Sequence, residues 1–372
     1  MGYKVDLKVL DAYGDRRVTM RPILLAIFPM VMVMFLVFTA ACYGGNDEAG
    51  VQVASAPVEK IPEGPGSLTI YSGRSKSLVD PIIDQFSHAT GIDVQVKYAK
   101  TGALAATIQE EGANSPADLF FAQDPSGLGA IQAMFSPIST DLLALVPEWA
   151  RAADGSWVGI SGRARALVYN TQSLTAADLP ADIRDLTDPK WKGRLGWAPT
   201  NGSFQSMVTG MRFSWGEAAT REWLEGMVKN EAKVYPKNTP QVAAAAAGEI
   251  DIGLVNHYYL HRFMAEEGDS FAARNYHPSA GGPGSLVMVA GAGILSTSND
   301  KENAEKFLRF MLSVAAQQYF ASQTFEYPLV EGVKTSYGLV PMDQIANPGI
   351  MPGDLTDLEG TQKILRDIGI IP

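Results

Sequence analysis

Short apolar runs of strand length alternate, from residue 67 to the C-terminus, with segments whose apolar residues recur every three to four positions. The runs at 68–71 and 92–98 predict strands, and 117–122, apolar throughout, suits a strand covered on both faces. Between them, residues 78–88 and 104–111 predict amphipathic helices, the first stopped by Gly91. Residues 157–160 and 166–169 predict strands joined through Ser161-Gly162-Arg163-Ala164-Arg165. A helix from residue 204, a helix at 217–229, a short strand at 233–235, an alanine-rich helix at 241–248 and a strand at 250–255 follow, with Asn238 in a loop. The pattern then gives a strand at 286–290, helices at 301–312 and 315–322, and a last helix at 356–367 after a stretch punctuated by prolines. Such alternation predicts an α/β fold with a parallel sheet and crossover helices, in which ligands sit at the carboxyl ends of strands. Two loops occupy such ends: Ser72-Gly73-Arg74-Ser75 and Gln123-Asp124-Pro125. Two α/β units of similar size divide near residue 163.

The most informative stretch is Asn256-His257-Tyr258-Tyr259, where a buried strand gives way to a helix that Asn256 is suited to cap. Tyr258 and Tyr259 fall in the first helical turn, where free N–H groups and the helix dipole favour anions, phenolates included. Because a phenol ionises near pH ~10, a phenolate at neutral pH needs a strong positive charge nearby, such as a trivalent metal ion. Packing of one ring in the core is the plainer alternative. Asn201-Gly202-Ser203, ahead of another helix, predicts either an anion-binding nest or an ordinary N-cap.

Composition narrows the classes. Residues 1–41 carry a basic segment and a long apolar run ending in small residues before Cys42, the single cysteine, which reads as an export segment with a lipid-attachment site or as an uncleaved membrane anchor. Residues 42–66 have the Gly, Pro, Ala and Ser content of a tether. The net charge of −10 and the absence of any Lys/Arg cluster after residue 41 argue against a nucleic-acid partner. One cysteine permits no intrachain disulfide. No Walker-type loop, His-Glu-x-x-His or Gly-x-Ser-x-Gly occurs, and the four histidines, of which His257 and His261 are spaced i, i+4, make no set with carboxylates, so an enzyme is not expected.

Over residues 67–372 the chain resembles the periplasmic ferric-ion-binding proteins, the solute receptors of iron ABC importers. The resemblance rests on Tyr71-Ser72-Gly73-Arg74-Ser75, Ser115-Pro116-Ala117-Asp118-Leu119-Phe120-Phe121, Ser161-Gly162-Arg163-Ala164-Arg165, Trp197-Ala198-Pro199-Thr200-Asn201-Gly202-Ser203-Phe204, Gly248-Glu249-Ile250-Asp251, Asn256-His257-Tyr258-Tyr259 and Glu326-Tyr327-Pro328-Leu329 occurring in one order. It implies a two-lobed periplasmic binding protein (type II) fold with a two-strand hinge. The N-lobe would span 67–163 with 286–340 returning to it, and the C-lobe 164–285 with 341–372 returning. It further implies Fe³⁺ bound by Tyr258 and Tyr259, a synergistic anion such as carbonate held by Asn201, Gly202 and Ser203 with Asn238 and Asn256 beside it, an ABC permease as partner, and a monomer in the periplasm or on the outer face of the membrane. Arg163 and Arg165, near Tyr169 in the sequence, would give a phenolate or carbonate there cationic support. The His and Glu that one subgroup adds are replaced here by Ser75 and Gln123. Other members use a third tyrosine, which maps to Tyr169, and Gln123 could offer a carbonyl oxygen. A same-fold receptor for an oxyanion, a polyamine or thiamine is the alternative.

Overall fold

A computed structural model of the chain describes residues 65–336, 338–346 and 349–372. The expected export segment, Cys42 and nearly all of the tether lie outside the described residues. The first half opens with β1 (Ser67–Ser72), α1 (Lys76–Thr90), β2 (Asp93–Tyr98), α2 (Thr101–Glu111), β3 (Leu119–Ala122), α3 (Pro125–Ala130) and the short α4 (Thr140–Leu143). Gly91 ends α1 in the left-handed region at φ 72°, a conformation that favours glycine. Then come β4 (Val158–Asn170), β5 (Leu195–Trp197), α5 (Gly202–Trp215), α6 (Glu217–Lys229), β6 (Lys233–Val234), α7 (Asn238–Ala246), β7 (Ile252–Asn256), α8 (Tyr258–Glu267) and β8 (Ala273–Tyr276). The chain closes with β9 (Val287–Ile294), α9 (Lys301–Met311), α10 (Val314–Gln323) and α11 (Leu358–Asp367).

The strands form one sheet in the order β2-β1-β3-β9-β4-β7-β5-β6, with β8 also on β4. It is mixed rather than parallel. Strands β1, β2 and β3 run parallel, as do β5, β6 and β7, but β9 is antiparallel to both β3 and β4, and β4 is antiparallel to β7. The long β4 joins the two parallel blocks: Val158–Ala164 pairs with β9, and Arg165–Tyr169 pairs with β7.

That strand corrects the expected loop at 161–165. Ser161, Arg163 and Arg165 alternate with Gly162 and Ala164 at the strand period of two, and the pattern reads as a loop only because two of its members are charged. The structure buries them instead. Two further expectations shift. Asn238 opens α7 rather than lying in a loop, and Asn256 ends β7 while His257 takes the N-cap position without a side-chain cap. Strand β8, Ala-Arg-Asn-Tyr, was not legible because it is short and lacks an apolar alternation.

Candidate functional site

The carboxyl ends of β1, β3 and β7 converge with the N-termini of α3, α5 and α8. At β7 the backbone N–H of His257 donates to Ala164 O at 3.0 Å, tying the start of α8 to the middle of β4. Tyr258 is fully buried and Tyr259 nearly so, and their rings stack with centroids 4.3 Å apart and planes at 29°. Burial pushes the Tyr258 phenol well above its ordinary range and Tyr259 adds to the rise, while Arg74 and Arg163 pull it down. Both phenols therefore face cations, yet without a bound cation Tyr258 keeps its proton at neutral pH. A metal that recruits it must displace that proton.

Three guanidinium groups, Arg74, Arg163 and Arg165, are buried around the pair. Arg74 is ion-paired with the buried Glu326. Arg165 Nη1 donates to Asn256 Oδ1 at 2.9 Å, and burial brings its pKa down to about 9. Arg163 differs: Nε, Nη1 and Nη2 all lack a protein partner. Leaving a buried charge without hydrogen bonds costs several kcal/mol, offset here in part by the nearby Glu326 and Asp124 carboxylates. Asp124 is the buried carboxylate nearest in role. It caps α3, its Oδ1 accepting from Gly127 N at 3.3 Å, while Oδ2 has no hydrogen-bond partner and lies where any Cβ on Gly202 would collide with it. Burial raises its pKa, against the pull of Arg163.

Asn201 is an N-cap: its Oδ1 accepts from the backbone N–H groups of Ser203 at 3.1 Å and Phe204 at 3.3 Å. Ser203 Oγ then links the two halves, accepting from Gln123 Nε2 at 3.0 Å and from Asn256 Nδ2 at 3.1 Å. Asn238 is buried with neither side-chain polar atom partnered. A cavity of 530 Å³ opens beside these groups, lined by Arg74, Gln123, Asn201, Gly202 and Tyr259. The exposed Ser75, Lys76, Lys100 and Lys237 also line it, so an acidic protein presents a basic mouth here. Among the described residues no three His, Cys, Asp or Glu side chains gather as a metal site.

Of the expected site residues the structure brings together Tyr258, Tyr259, Gln123, Asn201, Gly202, Ser203, Asn256 and Arg163 in one region. It does not bring Tyr169 there. Tyr169 pairs with Ile252 at the start of β7, whereas Arg165 pairs with Asn256 at its end; four residues of strand, about 13 Å, separate the two positions. Tyr169 packs instead against the second hydrophobic cluster, around Trp191 and Trp197. Sequence reading overlooked Tyr98, which lines the cavity at the carboxyl end of β2 and donates to Asp80 Oδ1 at 2.7 Å. The strand-end rule applied to β2 would have found it.

The chain matches the bacterial extracellular solute-binding protein family over residues 114–339. It is 34% identical over 315 residues to the major ferric iron-binding protein of Neisseria meningitidis serogroup B, an alignment covering 82% of this chain and 93% of that one. Its fold superposes on iron-bound HitA from Pseudomonas aeruginosa with a TM-score of 0.79 at 33% identity, covering 82% of this chain and all of HitA. It also superposes on the Trichodesmium protein IdiA (FutA) in complex with iron and citrate, with a TM-score of 0.70 at 30% identity, covering 82% and 99%. These neighbours have the type II periplasmic-binding-protein architecture, and they are transport receptors rather than enzymes. Two parallel blocks joined through the long strand β4, with the phenol pair at the carboxyl end of β7, are how this chain builds that architecture, and it belongs to the bacterial extracellular solute-binding proteins, in the branch of the ferric-ion-binding proteins.

Proposed function

We propose that the protein captures ferric iron between its lobes and delivers it to the permease of an ABC importer. Tyr258 and Tyr259 supply phenolate oxygens, a small oxyanion bridges the metal to Arg163, and water completes a coordination shell that for a hard trivalent ion numbers about six. The observation that carries this reading is a stacked pair of buried phenols beside buried guanidiniums, one of which has no protein partner on any nitrogen. Asn201, Gly202, Ser203, Asn238 and Asn256 form the polar wall for the anion, and Gln123 reaches the same wall from the opposite lobe. The lobes divide as the change of partner along β4 suggests, residues 67–163 and 286–340 in one and 164–285 and 341–372 in the other. The protein works outside the cytoplasmic membrane as a monomer, tethered by a lipid on Cys42 or by an uncleaved N-terminal helix.

Adding Fe³⁺ to chelator-stripped protein should produce a reddish visible band from tyrosinate-to-iron charge transfer. A protein that stays colourless but binds inorganic phosphate with high affinity would instead be an oxyanion receptor, a reading that the open Arg163 favours and that leaves the phenol pair without a task.

A further inference from the structure

Glu326 belongs to the Glu326-Tyr327-Pro328-Leu329 motif, which capture of iron as described leaves without a role. The backbone around it is pinned on both sides. Glu326 N donates to Phe320 O at 3.0 Å, Tyr327 N donates to Gly162 O at 2.8 Å, and Gly162 N donates to Tyr327 O at 2.7 Å. Phe325, just before it, sits at φ +57°, a left-handed conformation that side-chain-bearing residues rarely hold unless their surroundings over-determine it. Its carbonyl accepts from His257 Nε2 at 2.9 Å, and His257 Nδ1 accepts from Ala164 N at 3.1 Å, which fixes the proton on Nε2. This strained, tied segment turns the Glu326 carboxylate inward, where it is fully buried. One oxygen meets Arg74 and the other accepts from Ser161 Oγ.

Among the three buried guanidiniums Arg74 is the one in an ion pair with a carboxylate, while Arg163 lies in the field of Glu326 and Asp124 without a hydrogen bond, and Arg74 is also the one that lines the cavity beside Tyr259. We propose that Glu326 is a positioning residue acting as a tethered counter-anion: it occupies Arg74 and leaves Arg163 as the acceptor, so that the site takes one small external oxyanion rather than two. The inference rests on the iron-and-anion reading above. An Arg74 freed of Glu326 would face the cavity as a second acceptor and would recruit an anion of its own. Burial lowers the Arg74 pKa more than any single neighbour raises it, and the Glu326 charge and hydrogen bond, with Tyr258 and Tyr259, together carry the net shift upward.

The test counts anions. Iron-free protein, titrated calorimetrically with inorganic phosphate, should bind one equivalent, and Glu326→Gln, which keeps the volume and a partner for Ser161 but removes the charge, should bind two. Glu326→Asp should return to one. In chelator competition at fixed pH, Glu326→Gln should hold iron about tenfold more weakly at low phosphate and recover as phosphate rises. An unchanged count of one in Glu326→Gln would reduce Glu326 to a structural ion-pair partner and overturn the proposal. Should Glu326→Gln not fold, Arg74→Gln decides: a retained single phosphate supports the assignment to Arg163, and loss of all phosphate binding makes Arg74 the acceptor and refutes it. Because the phosphate count is read without iron, failure of the visible band would sink the iron reading separately.

Discussion

The two walls of the cleft are built differently. The wall from β7, α5 and α8 carries two adjacent phenols, the capped turn at Asn201 and the Ser203 hydroxyl that gathers Asn256 and Gln123. The opposite wall, from β1, β3 and α3, offers Arg74 already ion-paired, Gln123 hydrogen-bonded across the gap, and Ser75 exposed at the start of α1. One wall sets two adjacent phenols at the metal's place, and the other brings Arg74, Gln123 and Ser75 to the cavity, with the Tyr98 phenol already hydrogen-bonded to Asp80 and the Asp124 carboxylate buried behind the cavity. Affinity should therefore live on the tyrosine wall, while the other wall shields the metal from water and supplies positive charge.

The largest effect expected from this asymmetry is at the phenols. Tyr258→Phe and Tyr259→Phe should each weaken iron binding by about a thousandfold, roughly 4 kcal/mol, and shift or abolish the visible band, as read by chelator competition and absorbance. Retention of the parent spectrum by both would place the metal elsewhere. Next comes Arg163→Gln. It should cost about tenfold in iron affinity and remove any gain from added bicarbonate, because a charge-assisted anion contact is lost. On the opposite wall, Gln123→Ala should cost only a few-fold, since its hydrogen bond to Ser203 is between neutral groups. Ser75→Ala and Tyr169→Phe should change affinity by less than about twofold, and a Tyr169→Phe loss rivalling that of the pair would bring this tyrosine back as a ligand.

A second contrast concerns acid. His257 and His261, on or beside α8, and His277 after β8 are all held below the ordinary histidine range, chiefly by burial, with His261 brought to about 4. Depressed cation pKa values mean that the folded state prefers the neutral rings. Their stabilising contribution is whole above the unfolded value of about 6.5 and is lost as pH falls toward the folded values. The melting temperature of iron-free protein should drop between pH ~6.5 and ~4, with hydrogen exchange rising in α8 before α1. Uniform loosening of both would remove this difference between the walls.

Much of the architecture was legible because it is written in periodicity. The strands β1, β3 and β7 and the helices α1, α2, α6 and α9 lie where apolar spacing puts them. The site was legible where sequence neighbours stay neighbours: Tyr258 with Tyr259, and Asn201 with Ser203. It was obscure where long-range register decides. Tyr169 and Arg165 lie four residues apart, yet pairing with opposite ends of β7 sends one to a packed core and the other to the cleft. Asn256 has the chemistry of a cap, but Arg165 and Ser203 claim its side chain instead. The role of Glu326 depends on a contact with Arg74 spanning 252 positions, which no local pattern could announce.

The most direct test of phenolate capture is a competition titration of iron against a chelator of known protonation, from neutral to mildly acid pH, with and without added bicarbonate. Each phenol that the metal ionises costs one proton, so with Tyr258 and Tyr259 as ligands the logarithm of the affinity should fall by about two for each pH unit. Bicarbonate should raise the neutral end and steepen the fall, because acid converts carbonate to carbon dioxide. An affinity independent of pH, once the chelator's own protonation is corrected for, would contradict a site built on these two tyrosines.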